Sequence, residues 1–277
     1  GIEKLPDSSI DLIVTSPEYY GAPMWENKIS YTDYLAFQEK VIDQCIRVCK
    51  DGGFIIYNVS QMTVNSYPAK QTIGVYPIHL NIGNMMWAKG LTFREDIIWE
   101  KPDGYSNRFG VTINHPYSLC YAPNQTTEHI LVFRKGKKNT VKKSCRKKIK
   151  LTWSFWKNTV QMFGEWIGIK DANHPAPYPI ELATALVLFY SLKNGIVLDP
   201  FMGSGTTALA CKQTERFYVG YENDKTRCDY AINRIASKII FKWFLKKPKE
   251  AWGYFFFFFL PQMSKRRTSA LLPITTV

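Results

Sequence analysis

The segment VLDPFMGSGTT, residues 197–207, is the most specific signal in the sequence. Its apolar residues predict a short strand that ends at the acidic Asp199, and the turn Gly203-x-Gly205 leads into a helix that opens with two threonines. Glycines let the backbone approach a ligand closely, and the N-terminus of a helix offers N–H groups that have no partner. The pattern therefore predicts a ligand site where this strand ends. A G-x-G pair by itself is also found in tight turns that bind nothing.

The next strand places a second acid at the same edge. The stretch FYVGYE ends at Glu222, about fifteen residues after the glycine turn. An acid at this position holds ribose hydroxyls in dinucleotide sites, and we interpret Glu222 in the same way rather than as a solvated strand end. A third glycine at dinucleotide spacing is missing, and so is a Gly-Lys-Ser/Thr sequence. Neither the dinucleotide fingerprint nor a P-loop fits.

The rest of the chain alternates short apolar strands with stretches of helical periodicity. This alternation predicts an α/β domain with a mostly parallel sheet. The helical stretch YTDYLAFQEKVIDQCIRVCKDGG, residues 31–53, is expected to end on Gly52-Gly53. The strands FREDIIWEK and HILVFRK have no comparable helix between them, so we expect them to pair antiparallel.

An upstream strand, DLIVTSPEYYG at residues 11–21, stops at Ser-Pro and presents two tyrosines. A strand that ends in a small polar turn followed by aromatic residues is typical of the rim of a binding site. The acidic Glu18 lies in the middle of this turn.

Charge is concentrated in one segment of this 277-residue chain. The formal net charge is +13, and ten of the 17 residues between positions 134 and 150 are Lys or Arg, with no acid among them. A run of this kind either neutralises phosphates or forms a solvated loop. The six cysteines form no C-x-x-C pair and histidines are few, so we expect no metal site and a reduced, intracellular protein. No apolar run approaches the ~20 residues of a membrane span.

Together, DPFMGSGTT, YVGYE and TSPEYYG resemble the S-adenosylmethionine-dependent DNA amino-methyltransferases. The catalytic motif precedes the cofactor loop, which resembles the permuted beta order of that family, and the resemblance covers roughly residues 3–236. It implies a Rossmann-like α/β fold that has a mostly parallel sheet with an antiparallel strand and helices on both faces. The family's Thr-Ser-Pro-Pro-Tyr motif is typical of methylation at cytosine N4.

The resemblance also implies roles for individual residues. Those predicted to be catalytic are Ser16, Pro17 and Tyr19. Those predicted to bind S-adenosylmethionine are Asp199, Pro200, Phe201, Gly203, Ser204, Gly205, Thr206, Glu222, Asn223, Pro177 and Tyr178. Those predicted to contact double-stranded DNA are Lys142, Lys143, Arg146, Lys147 and Lys148.

The same resemblance divides the chain into two parts. Residues 1–236 are expected to form a methyltransferase domain that lacks its N-terminal strand, with an inserted basic target-recognition segment at 134–172. Residues 237–277, which contain five consecutive phenylalanines, are expected to be a disordered tail. Expected partners are double-stranded DNA and a cognate restriction endonuclease. The expected location is the cytoplasm and nucleoid, or the nucleus in a eukaryote.

The predicted reaction is methyl transfer to the N4 amine of cytosine in a specific DNA sequence. Adenine N6 is the alternative target, and an inactive DNA-binding relic is the alternative from another functional class. Acceptors at the Ser16 hydroxyl and the Pro17 carbonyl would orient the target amine, and Tyr19 would stack on the flipped base. The family has proline where this chain has Glu18, so a looser turn is expected. The carboxylate would either accept from the target amine or point to solvent.

Overall fold

The computed structural model describes residues 1–21, 29–65, 72–101, 125–137, 160–162, 179–236 and 275–276. A short 3-10 turn at Ile2–Lys4 precedes the regular elements. The strands are β1 Ile10–Thr15, β2 Cys49–Val59, β3 Met62–Asn65, β4 Thr72–Tyr76, β5 Thr92–Glu100, β6 Thr127–Arg134, β7 Val160–Met162, β8 Ile196–Asp199, β9 Phe217–Glu222 and β10 Thr275–Thr276. The helices are α1 Tyr31–Val48, α2 Ile78–Ala88, α3 Ile180–Tyr190, α4 Thr206–Thr214 and α5 Lys225–Ala236.

Eight of these strands form one sheet in the spatial order β10-β9-β8-β1-β2-β6-β5-β7. Strand β6 is antiparallel to both of its neighbours, β2 and β5, whereas every other described pair in the sheet is parallel. The predicted antiparallel pairing of FREDIIWEK with HILVFRK is confirmed, and so is the mostly parallel sheet. Strands β3 and β4 form a separate antiparallel ribbon.

The sheet is covered on both faces because side chains alternate along its strands. Ile13 of β1 belongs to a core cluster that includes Ile42 of α1 and Ile82 of α2. Its neighbours Leu12 and Val14 point the other way and belong to a cluster with residues of α3 and α4. Helices therefore lie on both faces, as predicted.

The first helix is shorter than its sequence pattern predicts. Its N-terminus is capped by Ser30, whose hydroxyl oxygen accepts from the Asp33 N–H at 3.1 Å. It ends at Val48, and Gly52 and Gly53 lie inside β2 instead of stopping the helix. A Cβ at Gly53 would come within 2.9 Å of the Asp11 carbonyl oxygen. Close approach of two backbones therefore accounts for this glycine better than helix termination does.

The carboxyl ends of four neighbouring parallel strands meet at one edge of the sheet. In spatial order these strands are β9, β8, β1 and β2. Ligands of open α/β sheets bind in the crevice outside such an edge. Both sequence motifs singled out above are placed there, because Asp199 ends β8 and Thr15 ends β1.

In the described part of the chain, no helix has the length and apolar character needed to cross a membrane. Among the same residues, no group of three His, Cys, Asp or Glu side chains could hold a metal ion. Of the expected tail, Thr275 and Thr276 are described, and they pair with Tyr221 and Glu222 of β9. The disorder predicted for residues 237–277 stays a prediction.

Candidate active site

Asp199 is the buried centre of the turn that follows β8. One carboxylate oxygen accepts from the Thr15 hydroxyl at 2.7 Å and from the Phe201 N–H at 3.0 Å. The other oxygen accepts from the Thr207 hydroxyl. Burial raises the pKa of Asp199 to about 6, although these three hydrogen bonds work in the opposite direction. The carboxylate thus ties together the end of β1, the start of the loop and the first turn of α4.

The loop between β8 and α4, residues 200–205, is referred to below as the glycine loop. Gly203 and Gly205 have φ values of 50° and 81°, in the left-handed region that glycine adopts without strain. A Cβ at Gly205 would lie 3.2 Å from the Ala231 Cβ and 3.1 Å from the Ile235 Cδ1. The second glycine is therefore required by its conformation and by close packing against α5.

Glu222 holds the other side of the glycine loop. Its Oε2 accepts from the Gly203 N–H at 2.9 Å, and its Oε1 accepts from the Asp224 N–H at 3.0 Å. The side chain is buried. A carboxylate oxygen has two lone pairs, so each oxygen of Glu222 retains one acceptor position for a hydroxyl of a bound ligand.

Arg234 on α5 is a functional candidate that sequence reasoning missed. Its Nη1 donates to the carbonyl oxygen of Ser204 at 3.0 Å, to the Ser204 hydroxyl at 3.0 Å and to the Thr206 hydroxyl at 3.1 Å. The guanidinium thereby fixes the junction of the glycine loop with α4. No local pattern in the sequence marks this arginine, because its partners lie about 30 residues away.

The remaining predicted cofactor residues differ in their exposure. Pro200 is buried, and Phe201 has its ring 6.1 Å from the ring of Phe37 on α1. Asn223 is exposed directly after Glu222. Pro177 and Tyr178 lie outside the described residues. So do all five predicted DNA contacts, which are Lys142, Lys143, Arg146, Lys147 and Lys148.

The turn after β1, residues 16–19, contains the predicted catalytic residues and is called the 16–19 turn. It adjoins the glycine loop directly, because Thr15, which precedes Ser16, donates to Asp199. The Ser16 hydroxyl oxygen accepts from Asn58 Nδ2 at 3.2 Å. Pro17 is buried. The structure therefore brings the two motifs that the sequence separates by about 180 residues into contact.

A buried polar network supports Tyr19. The Tyr19 hydroxyl donates to Glu128 Oε2 at 2.8 Å, and Asn58 Nδ2 donates to the same oxygen at 2.7 Å. Lys101 forms an ion pair with the other oxygen of Glu128. Burial is the largest cause of a raised pKa at Tyr19, and the Glu128 carboxylate adds to it, so the phenol remains a proton donor.

Sequence reasoning missed Asn58, Lys101 and Glu128. A signal for two of them was present, because Asn58 and Glu128 are polar residues on the otherwise apolar strands FIIYNV and EHILVF. Both are buried, at 3% and 6% exposure. A buried polar side chain usually has a hydrogen-bond partner, which points to a shared network.

Glu18 has a partner that the sequence did not predict. Its Oε1 accepts from Arg227 Nη1 of α5 at 2.5 Å, so it is an ion-pair partner. Its backbone carbonyl accepts from the Tyr34 hydroxyl of α1 at 3.1 Å. Among the described residues, no hydrogen-bond partner is found for the buried Oε2 of Glu18.

The geometry defines a class of protein. Two buried acids end adjacent parallel strands, a glycine loop opens a helix between them, and a Ser-Pro turn lies beside that loop. The carboxylate oxygens suit a ligand that offers ribose hydroxyls as donors and carries a positive charge, and S-adenosylmethionine has both features. The fold and site are those of a Rossmann-like methyltransferase.

The family follows from comparison with known proteins. The N6/N4 methyltransferase family, described as DNA methylases, matches residues 10–233. The chain belongs to this family of S-adenosylmethionine-dependent DNA amino-methyltransferases. The predicted resemblance, fold and cofactor are thereby confirmed.

Individual relatives are similar over most of the chain. The type II methyltransferase M.BglII of Bacillus subtilis is 29% identical over 249 residues, which cover 84% of this chain and 66% of that protein. The orphan methyltransferase M.BamHII of Bacillus amyloliquefaciens is 28% identical, with 91% and 97% covered. The chain thus spans about two thirds of M.BglII and nearly all of M.BamHII.

Solved structures share the same fold. A DNA modification methylase of Thermus thermophilus, in complex with S-adenosyl-L-methionine, is 26% identical with a TM-score of 0.66. The match covers 85% of this chain and 88% of that one. The cytosine-N4-specific PvuII DNA methyltransferase is 17% identical with a TM-score of 0.67, over 86% and 83% of the two chains, and indicates the fold alone.

Proposed function

We propose that the protein transfers a methyl group from S-adenosylmethionine to the N4 amine of cytosine in a specific sequence of double-stranded DNA. The observation that supports this most directly is the contact between the segment that leads into the 16–19 turn and the segment that leads into the glycine loop. Thr15 donates to Asp199 at 2.7 Å, which sets the Thr-Ser-Pro turn beside the glycine loop. A serine at the head of the turn is typical of relatives that modify cytosine N4.

The proposed cofactor site consists of Glu222 and the glycine loop. Glu222 would accept from ribose hydroxyls with its remaining lone pairs, while the loop backbone from Phe201 to Thr206 would approach the methionine part. Asp199 acts mainly through the loop, because its carboxylate already accepts hydrogen bonds from Thr15, Phe201 and Thr207. When bound, S-adenosylmethionine supplies an electrophilic methyl group on its sulfonium.

The proposed role of the 16–19 turn is to orient the target amine. The lone pair of an exocyclic amine is delocalised into the base, so acceptors must draw the N–H groups into a geometry that localises it. Ser16 Oγ and the Pro17 carbonyl are the acceptors we assign to this role. Asn58 holds Ser16 Oγ in place through its amide group. Catalysis of this kind consists mainly of positioning and electrostatics.

The target base has to leave the stack to reach this turn. Tyr19 is the proposed platform for it, and the hydrogen bond from its hydroxyl to Glu128 fixes one end of the ring. The basic segment that begins at Arg134 is the proposed contact with DNA phosphates. A cognate restriction endonuclease and a cytoplasmic location belong to the same proposal, because the relative M.BglII is a type II methyltransferase.

Product analysis tests the proposal. The protein is incubated with labelled S-adenosylmethionine and duplex DNA of mixed sequence, and the DNA is then digested to nucleosides. We expect label in N4-methylcytosine. Label in N6-methyladenine would establish the alternative target. Retained DNA binding without any transfer would indicate an inactive relic of the family.

A further inference from the structure

Residue 18 departs from the Pro-Pro motif of the family, and its side chain has a specific partner. The carboxylate of Glu18 lies 2.5 Å from Arg227 Nη1. Both side chains are mostly buried, with exposures of 31% and 21%. The two residues are 209 positions apart in the sequence. The pair therefore connects the 16–19 turn to the distant helix α5.

Arg227 is held by the same residues that hold the glycine loop. Its backbone N–H donates to Asp224 Oδ1 at 3.0 Å, at the start of α5. The Asp224 N–H donates to Glu222 Oε1, and Glu222 Oε2 accepts from Gly203. One continuous chain of hydrogen bonds therefore runs from the glycine loop to Glu18.

The turn is also held from its other side. The Tyr34 hydroxyl of α1 donates to the backbone carbonyl of Glu18 at 3.1 Å. Residue 18 is thus fixed by α1 through its backbone and by α5 through its side chain. The missing proline alone predicts a looser turn, but that prediction takes account of neither contact.

We infer that the Glu18–Arg227 ion pair positions the 16–19 turn relative to the cofactor loop, in place of the internal stiffness that a second proline provides. The inference rests on the proposed role of this turn in methyl transfer. Its physical basis is that a displacement of about 1 Å between reacting groups can lower a rate roughly a hundredfold. Glu18 and Arg227 are positioning residues, since they act on Ser16 and Pro17 through the backbone of the turn.

The test compares Glu18→Gln, Arg227→Met and the double variant with a matched control. Lys225→Met on the same helix removes the ion pair to Asp229, which is 2.8 Å long and exposed, without touching the turn. Single-turnover methyl transfer is measured at saturating cofactor and DNA, and cofactor affinity is measured by calorimetry. Thermal unfolding controls for the fold.

Each single variant is expected to lower the single-turnover rate about tenfold, while cofactor affinity stays within about twofold. The double variant should be no slower than the slower single variant, because both remove the same interaction. Arg227→Lys should recover part of the rate, and Lys225→Met should match the wild type. Unchanged rates in both single variants, or losses that multiply in the double variant, would overturn the inference.

A second measurement is independent of turnover. Amide hydrogen exchange over residues 16–21 should become faster in Glu18→Gln and Arg227→Met but not in Lys225→Met. If the wild-type protein transfers no methyl group, the proposed function fails, and exchange alone decides whether the pair holds the turn. Equal exchange in all four proteins would overturn the positioning role.

Discussion

Glu128 shows how a single buried acid can organise the candidate active site. It is placed on β6 and is contacted by Tyr19, Asn58 and Lys101, which come from three other parts of the chain. An unpaired carboxylate in this position would be costly, because burial disfavours the charged form. The lysine and the two donors offset that cost and at the same time fix the Tyr19 ring.

Two substitutions at Tyr19 separate its ring from its hydroxyl. Tyr19→Phe keeps the ring and loses the donation to Glu128, whereas Tyr19→Ala loses both. If the ring stacks on the flipped base, we expect Tyr19→Ala to lose roughly 1–3 kcal/mol more than Tyr19→Phe, since this is the usual value of base–aromatic stacking. Single-turnover methyl transfer on one duplex measures the difference. Equal losses would assign the role to the hydroxyl and reject the stacking platform.

At the scale of elements, the connection from β8 to α4 is built around Asp199. The carboxylate joins β1, the glycine loop and α4, while Glu222 and Arg234 hold the loop from β9 and α5. Four elements therefore position one short loop. This arrangement fixes the loop at the carboxyl edge of the sheet, beside the 16–19 turn.

The pH dependence of stability tests this account of Asp199. Burial raises its folded pKa to about 6, above the ordinary value of 3.8. A raised folded pKa contributes stability that is fully present below the unfolded value and is lost as the pH rises through the folded value. We expect the free energy of unfolding of the wild type, minus that of Asp199→Asn, to fall as the pH rises from about 4 to 7. Urea unfolding of both proteins at several pH values measures it.

The Asn side chain keeps the shape and one acceptor oxygen, so it serves as an isosteric reference that does not titrate in this range. A difference in unfolding free energy that stays constant across the pH range would show that Asp199 titrates normally in the folded protein. Burial would then not be the dominant influence on it.

At the scale of the whole molecule, the sheet order sets the position of the candidate site, and the basic segment is the proposed contact with DNA. The net charge of +13 is concentrated between residues 134 and 150, which leaves about +3 for the rest. Lysines and arginines that neutralise phosphates release counterions, so binding weakens with salt in proportion to the number of contacts.

Neutralising the basic segment tests its proposed contact with DNA. The variant with Lys142, Lys143, Lys147 and Lys148 replaced by Gln should bind every duplex more weakly. The slope of log affinity against log salt should decrease in magnitude by up to about 0.9 for each lost contact. Binding titrations at several salt concentrations give the slope. An unaltered slope would indicate that the segment is a solvated loop.

Most of the fold could be predicted because its signals are local. The glycine loop, the acids at two strand ends and the alternation of strands and helices are each contained within short windows of sequence. The antiparallel β5–β6 pair was also predictable, since no long helix separates the two strands. The predicted end of α1 was wrong because both glycines lie inside β2, where Gly53 allows close backbone packing and Gly52 adopts a φ of 79°. A pair of glycines that stops a helix looks the same in sequence.

Local sequence patterns were enough to predict the class of fold, the family and the residues of the two motifs. The contacts of those residues depend on the three-dimensional fold. Arg227 reaches Glu18 across 209 positions and Glu128 reaches Tyr19 across 109, so neither partnership leaves a local pattern. These contacts exist because the sheet order places β9, β8, β1, β2 and β6 side by side. Residues that lie near the same edge of the sheet can form ion pairs and hydrogen bonds however far apart they are in the sequence.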